Sequence, residues 1–321
     1  MRTHRSIITA VAGLALLATG CTVQDESTKA EGGSGSIEKI GALDGVTITV
    51  GSKEFDEQLV LGHIAILVLQ AAGAEAEDKT NITGSDNVRK ALESGEIDLY
   101  WEYTGTAWVS YLKQDKQVND PEQLYQQVAE RDAGNGITWW ARSPANNTYA
   151  IAANPDAAKE HGVETLSDYA ELAKTEPAAA STCMGPEFKS RNDGFPGLQK
   201  AYGFKLPARH QHEVSDAIVY TEAGKGDTCD FGSVATTDGR IAANDLVVLT
   251  DDKKFFPIYN PAITIRSELA EKYPELEQPF SAVAEKLTDD VLLGLNEQVS
   301  VEARNPKKVA TEWMTEEGFI G

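Results

Sequence analysis

Sulfur and imidazole are scarce in this chain of 321 residues, which holds three cysteines, three methionines and five histidines. His210 and His212 are two apart and could share a metal from a loop. With no cysteine or third histidine beside them they read as surface residues, and no metal site is expected. Catalytic signatures are missing too: there is no P-loop, no HExxH, no GxSxG, and no GxGxxG after a strand. Neither an enzyme nor a cofactor is therefore expected, and paired acids such as Asp251-Asp252 read as solvated loop charges. Past the first twenty residues no stretch approaches 18 uninterrupted apolar residues, so the rest reads as soluble. Bases are few, with Lys plus Arg at 29 against Asp plus Glu at 50, a formal net charge of −21. Nucleic acid and anionic membrane surfaces would repel such a chain. The acidity reads as a solvated surface, and no nucleic-acid partner is expected.

What is present begins with a leader. Arg2, His4 and Arg5 form a basic start, and residues 7–18 run apolar, broken by Thr9 and Gly13. That is the length of a secretory apolar region and too short to span a bilayer. It ends Leu16-Leu17-Ala18-Thr19-Gly20-Cys21, which resembles the lipobox of bacterial lipoproteins. The resemblance implies that residues 1–20 are removed and that Cys21 carries lipid, on the extracytoplasmic face of the plasma membrane. The alternative is an ordinary signal peptide with a chance cysteine. Residues 22–36 are rich in Ser, Gly, Asp and Glu and too poor in apolar surface to fold; the flexible tether is set at 21–45. With lipid on Cys21, Cys183 and Cys229 remain as an even pair. Export permits oxidation, so one disulfide is expected, against two buried thiols.

The remaining chain is long enough for two lobes. Residues 46–50 (VTITV) suggest a strand ended by Gly51. From 57 to 72, Leu59, Val60, Ile64, Leu67, Val68 and Ala71 recur at helical spacing, closed by Gly73. Residues 87–94 predict a helix and 97–101 a buried strand; the alternation argues for parallel α/β construction. Further helices are expected at 121–131, from Ser167 or Asp168 to 173, at 268–287, at 288–299 and at 306–314. Further strands are expected at 149–153 and 245–249.

The stretches that could carry function are aromatic. Tyr100-Trp101-Glu102-Tyr103-Thr104-Gly105-Thr106 gathers rings and hydroxyls at a strand end, where open α/β sheets place ligands. Asn146-Asn147-Thr148-Tyr149 and Phe255-Phe256-Pro257-Ile258-Tyr259 add more. Each alone reads first as core packing. Together, ring faces suit a quaternary ammonium, which has no N–H to donate and is held by cation–π attraction.

In order and spacing, these pieces and several others resemble the substrate-binding proteins of ABC importers for glycine betaine, choline and related compatible solutes, the osmoprotectants. The others are Gly51-Ser52-Lys53-Glu54-Phe55 with Glu57-Gln58, the run 91–100 (ALESGEIDLY), the run 193–200 (DGFPGLQK) and Thr237-Asp238-Gly239-Arg240. The resemblance spans about 46–314. It implies an α/β, two-lobed periplasmic-binding-protein (type II) fold with a two-crossing hinge, with lobe 1 at 46–147 plus 256–321 and lobe 2 at 148–255. It implies a monomer that hands its ligand to a permease and an ATPase. Carried over onto matching positions, Tyr103, Tyr149 and Tyr259 would be cage walls. Lys53 and Arg191 would hold a ligand carboxylate, assisted by Thr106.

One position departs. The family commonly places an aromatic two residues before the TDG motif, where this chain has Ala235. Either Tyr220, Phe231 or Trp101 fills the missing wall, or the pocket is larger. The implied ligands are glycine betaine, proline betaine, choline or carnitine, with a larger betaine such as ergothioneine as the alternative. A ligand-sensing receptor of the same fold, without transport, is the other alternative.

Overall fold

The computed structural model describes residues 35–114 and 116–321; the expectations for the leader, Cys21 and most of the tether lie outside them. Ten strands follow in chain order: β1 (Thr47–Lys53), β2 (Glu75–Ile82), β3 (Leu99–Tyr103), β4 (Ile137–Trp140), β5 (Tyr149–Ala153), β6 (Thr182–Met184), β7 (Gln211–Glu213), β8 (Phe231–Ala235), β9 (Val247–Val248) and β10 (Pro261–Arg266). They form two five-stranded sheets, ordered β2-β1-β3-β10-β4 and β7-β6-β8-β5-β9.

The two orders follow one plan. Three strands run parallel, then one strand enters antiparallel beside an edge strand. The antiparallel strand is in each case the first after the chain has crossed from the other sheet. The parallel α/β construction expected from the strand–helix alternation holds for three strands of each sheet; the two crossings impose antiparallel entry at β5 and β10. The crossings lie side by side at 141–148 and 249–260. Asn147 N–H donates to the Tyr259 carbonyl at 3.1 Å and Tyr259 N–H to Asn146 Oδ1 at 2.7 Å. These bonds tie the two crossings to one another.

Helix α1 (Asp56–Ala72) is buried nearly all round, because it lies between the first sheet and the C-terminal helices. Gly73 ends it at φ 100°, a left-handed conformation that glycine adopts without steric cost. Helix α2 (Ser85–Ser94) ends likewise at Gly95. The expected helix at 268–287 is broken into Ser267–Lys272 and Glu277–Lys286, with a tight turn at Pro274–Leu276. Pro274 has no N–H and pushes Tyr273 out of the helical region. The strand expected at 245–249 shrinks to Val247 and Val248, half-exposed at a sheet edge. Strand β2 was not expected: its polar EAEDKTNI sequence has no apolar alternation, because it is an exposed edge.

Residues 36–45, placed above in the tether, belong to the folded body. Ser36 N–H donates to the Gly318 carbonyl at 2.8 Å, and Leu43 is fully buried in the first lobe's core. The apolar residues Ile37, Ile40 and Leu43 anchor this segment. In the second lobe, Cys183 on β6 and Cys229 are joined by a disulfide, with Cα atoms 5.7 Å apart. Asp251 and Asp252 are not free loop charges. Asp251 accepts from the Tyr202 hydroxyl and Phe256 N–H, and Asp252 from Ser167 N–H and hydroxyl.

Candidate functional site

The functional side chains stand where strands end. Lys53 closes β1 and Tyr103 closes β3; α1 starts three residues after Lys53 and sets Glu57 in its first turn. From the second lobe, Tyr149 opens β5, Ala235 closes β8, and Arg191 follows the short helix Pro186–Ser190. Tyr259 comes from the second crossing. These ends enclose a cavity of about 140 Å³ between the lobes. Of the residues expected at the site, Tyr103, Tyr149, Tyr259, Lys53, Arg191, Thr106, Tyr220 and Ala235 all line it.

Trp101 and Phe231 do not, and both expectations are corrected. Trp101 packs in the first lobe's core. It shares a face of β3 with Tyr103, but sits two residues short of the strand end where the cleft opens. Phe231 begins β8 and packs against Tyr169, with ring centres 4.9 Å apart. Ala235 ends the same strand, four residues and roughly 13 Å further on at strand rise. Of the three candidates for the missing wall, Tyr220 alone reaches the cavity. Its hydroxyl accepts from Ala235 N–H at 3.2 Å, and the Arg240 guanidinium covers its ring at 4.6 Å.

The tyrosines meet edge to face. Tyr149 and Tyr259 have centroids 5.5 Å apart at 74°, while Phe55 stacks against Tyr103 at 6.2 Å. The Tyr103 hydroxyl donates to Glu57 Oε1 at 2.7 Å, and that of Tyr259 to Asp193 Oδ2 at 2.6 Å. Burial, with the neighbouring carboxylates adding to it, pushes both phenols well above their ordinary pKa, so they remain neutral donors.

The two expected carboxylate holders are already paired. Lys53 Nζ lies 2.6 Å from Glu102 Oε1, and Glu102 also accepts from the Tyr100 and Tyr111 hydroxyls. Arg191 grips Asp193 through Nε and one terminal nitrogen, at 2.8 and 2.5 Å. Its other terminal nitrogen reaches Glu187 Oε2 at 3.1 Å, and Thr106 Oγ1 lies 3.5 Å from the nitrogen that grips Asp193. These cations face the cavity with their charge largely balanced from behind.

Sequence reasoning missed several lining residues. Glu57, Asn147 and Arg240 lay inside the quoted motifs without a role; Asp216 and Asn296 carried no motif signal at all. Glu57 accepts from Tyr103, Asn147, Thr237 and Asn296, four segments of chain meeting at one carboxylate. Arg240 pairs with Asp238 and reaches Asp56 across the cleft at 3.5 Å. Burial, with Glu187 and Glu54 nearby, pushes the Asp216 carboxyl up to about 6. Six acids line the cavity (Glu54, Asp56, Glu57, Glu187, Asp216 and Asp238) against Lys53, Arg191 and Arg240. The surplus is negative and the walls are aromatic, so the cavity suits a cation. Among the described residues no group of three or more His, Cys, Asp or Glu could hold a metal ion.

Two lobes joined by paired crossings, with a polar-aromatic cavity at their strand ends, define a solute-binding protein of the two-lobed periplasmic-binding type. The comparisons give the family. Residues 46–316 match the family described as the substrate binding domain of the ABC-type glycine betaine transport system, and the chain belongs to it. It is the solute-capturing component of an ABC importer. A glycine-betaine-binding protein of Pseudomonas aeruginosa is 34% identical over 87% of this chain and 91% of its own length. An ergothioneine transport permease/ergothioneine binding protein of Helicobacter pylori, EgtU, is also 34% identical over 87% of this chain, which spans 49% of that longer protein. The solved structure of apo YehZ from Escherichia coli superposes with a TM-score of 0.62 at 30% identity, covering 85% of this chain and 99% of YehZ.

Proposed function

We propose that this protein captures a quaternary-ammonium compatible solute between its lobes and delivers it to its permease and ATPase subunits. The solute is glycine betaine, proline betaine, choline or carnitine. The observation that carries this reading is the convergence of Tyr103, Tyr149 and Tyr259, from three separate segments, on a cavity whose lining acids outnumber its bases. Ring faces attract a cation that offers no N–H, by about 0.5–2 kcal/mol per ring. Capture is binding without chemistry, and it fits a site walled by hydrogen-bond donors and rings.

The lobes follow the crossings: lobe 1 at about 36–147 plus 256–321 and lobe 2 at 148–255. Closure needs ligand contacts from both, since a ligand held by one lobe gives no differential energy for closing. Cys21 would carry the lipid after removal of 1–20, and residues 21–35 would tether a monomer at the extracytoplasmic face of the plasma membrane near its permease. Among the described residues no helix is long and apolar enough to cross a membrane.

A larger betaine such as ergothioneine is the second reading. It is favoured by Ala235, a small residue lining the cavity where an aromatic was expected, and by equal 34% identity to relatives named for each ligand. Titration calorimetry with glycine betaine, choline, carnitine, proline betaine and ergothioneine tests both. Heat with one of the first four supports the main reading, and heat with ergothioneine alone supports the second. No heat with any of them removes the ligand class, leaving a receptor for some other solute.

A further inference from the structure

We propose that Glu57 and Asp193 act through the hydroxyls of Tyr103 and Tyr259 to deepen the negative face of those rings, so that the site discriminates a cation from a neutral molecule of the same shape. The inference rests on the cage described above and assigns a role to two carboxylates that need not touch the ligand.

The geometry is alike on both lobes. Each carboxylate is buried, with Glu57 3% and Asp193 2% exposed. Each takes the phenolic hydrogen of a cavity-lining tyrosine, at 2.7 and 2.6 Å. A phenol donating to a carboxylate gains partial phenolate character. That adds electron density to the ring, and the ring face is what attracts a cation. Away from bulk water the effect is weakly screened.

Glu57 is the stronger case. Its partners are the Tyr103 hydroxyl, Asn147 Nδ2 at 2.8 Å, Thr237 Oγ1 at 2.7 Å and Asn296 Nδ2 at 2.7 Å. All four donate to it, which fits the carboxylate rather than the protonated acid. Among the described residues it has no ion-pair partner, so its charge is left to act on the cavity it lines. Nearby cations are committed elsewhere, Lys53 to Glu102 and Arg240 to Asp238 and Asp56. Asp193 shares its charge with Arg191 and contributes less. Tyr149 serves as the contrast within the cage. Its hydroxyl has no carboxylate acceptor among the described residues, whereas a cation stands near both rings, Lys53 Nζ 5.1 Å from the Tyr103 centre and the Arg191 guanidinium 5.9 Å from the Tyr149 centre.

A purely structural role for Glu57, fixing the ring's orientation, would strengthen binding of charged and neutral ligands alike. The test therefore reads a ratio. Affinities are measured for choline and for the neutral alcohol in which a quaternary carbon replaces its nitrogen. The wild-type protein should favour the charged member of this pair by at least about tenfold. Glu57→Gln and Tyr103→Phe should each reduce that preference by about fivefold to tenfold, the affinity for the charged member falling by that much more than the affinity for the neutral one. Tyr103→Phe keeps the ring and removes only the hydroxyl, so it still reports if Glu57→Gln fails to fold. A wild-type preference that survives in both variants, with charged and neutral affinities falling together, overturns the proposal alone. A wild type that does not bind choline, or does not prefer charge, overturns the cage and the proposal with it.

Discussion

The Glu187 carboxylate of the second lobe caps a helix of the first. Its oxygens accept from the Ser85 backbone N–H at 2.6 Å and from the Ser85 hydroxyl at 2.9 Å, across 102 residues of sequence. Helix α2 has Gly84 at its N-cap and no side-chain cap of its own. Its free N–H groups and positive dipole end are met by an acid from the other lobe. Glu187 also holds Arg191 at 3.1 Å, so closure and the cavity wall share one carboxylate.

Replacing this cap should loosen closure. Glu187→Ala is expected to weaken ligand binding by about 1–2 kcal/mol, the scale of a lost helix cap with a dipole interaction. Calorimetry reads the affinity, and small-angle scattering with saturating ligand reads the closed fraction. Unchanged affinity together with unchanged closure would show that the contact is incidental.

Arg191 should separate zwitterions from simple cations. Its guanidinium is the cavity cation with the best geometry for a carboxylate. Arg191→Ala is expected to cost glycine betaine about 2 kcal/mol more than choline, the scale of a hydrogen bond to a charged group. Choline should lose little, because the substitution also frees the negative charge of Asp193 and Glu187. Equal losses for both ligands would remove Arg191 from carboxylate binding.

Much of this site was legible in the sequence because its ring-bearing residues sit in short motifs at strand ends. Tyr103, Tyr149 and Tyr259 could be named because the motifs around them resemble those of the family. Their roles were harder to separate from those of Trp101 and Phe231, because strand alternation gives a face and not the point where a sheet stops and a cleft begins. The partners of Lys53 and Arg191 were hidden differently. Glu102 and Asp193 stood in the quoted stretches, but charge pairing is a tertiary fact that no spacing encodes. The fold was readable where apolar periodicity was strong, as in α1. It was missed at the polar edge strand β2 and misjudged at Pro274, where a local breaker overrode a helical pattern.

Cation binding should depend on pH through Asp216. Burial and the nearby Glu187 and Glu54 push its carboxyl up to about 6, while Arg240 pulls it down. A cation in the cavity favours the ionised form and lowers that value, so binding releases a proton. Choline affinity is then expected to rise as pH increases from about 5 to about 7. Asp216→Asn should flatten this rise, although Glu57, whose carboxyl is also raised by burial, stays in place. A pH profile of equal slope in the variant would exclude Asp216 as its source.

The disulfide should matter for stability more than for binding. Cys183 and Cys229 close a loop with a sequence separation of 46 within the second lobe. Loop-closure entropy for that length gives about 4 kcal/mol, with lower values common in practice. Reduction is expected to lower the urea midpoint clearly while leaving ligand affinity nearly unchanged, since neither cysteine lines the cavity. An unchanged midpoint would mean that the bridge constrains little.

The central claim is that the three tyrosines hold a quaternary nitrogen. A crystal structure of the protein with its tightest-binding quaternary-ammonium ligand measures it most directly. The nitrogen is expected within about 6 Å of the ring centres of Tyr103, Tyr149 and Tyr259, the reach of a cation–π contact. A ligand seated with that nitrogen facing Lys53 or Arg191, away from the rings, would contradict it.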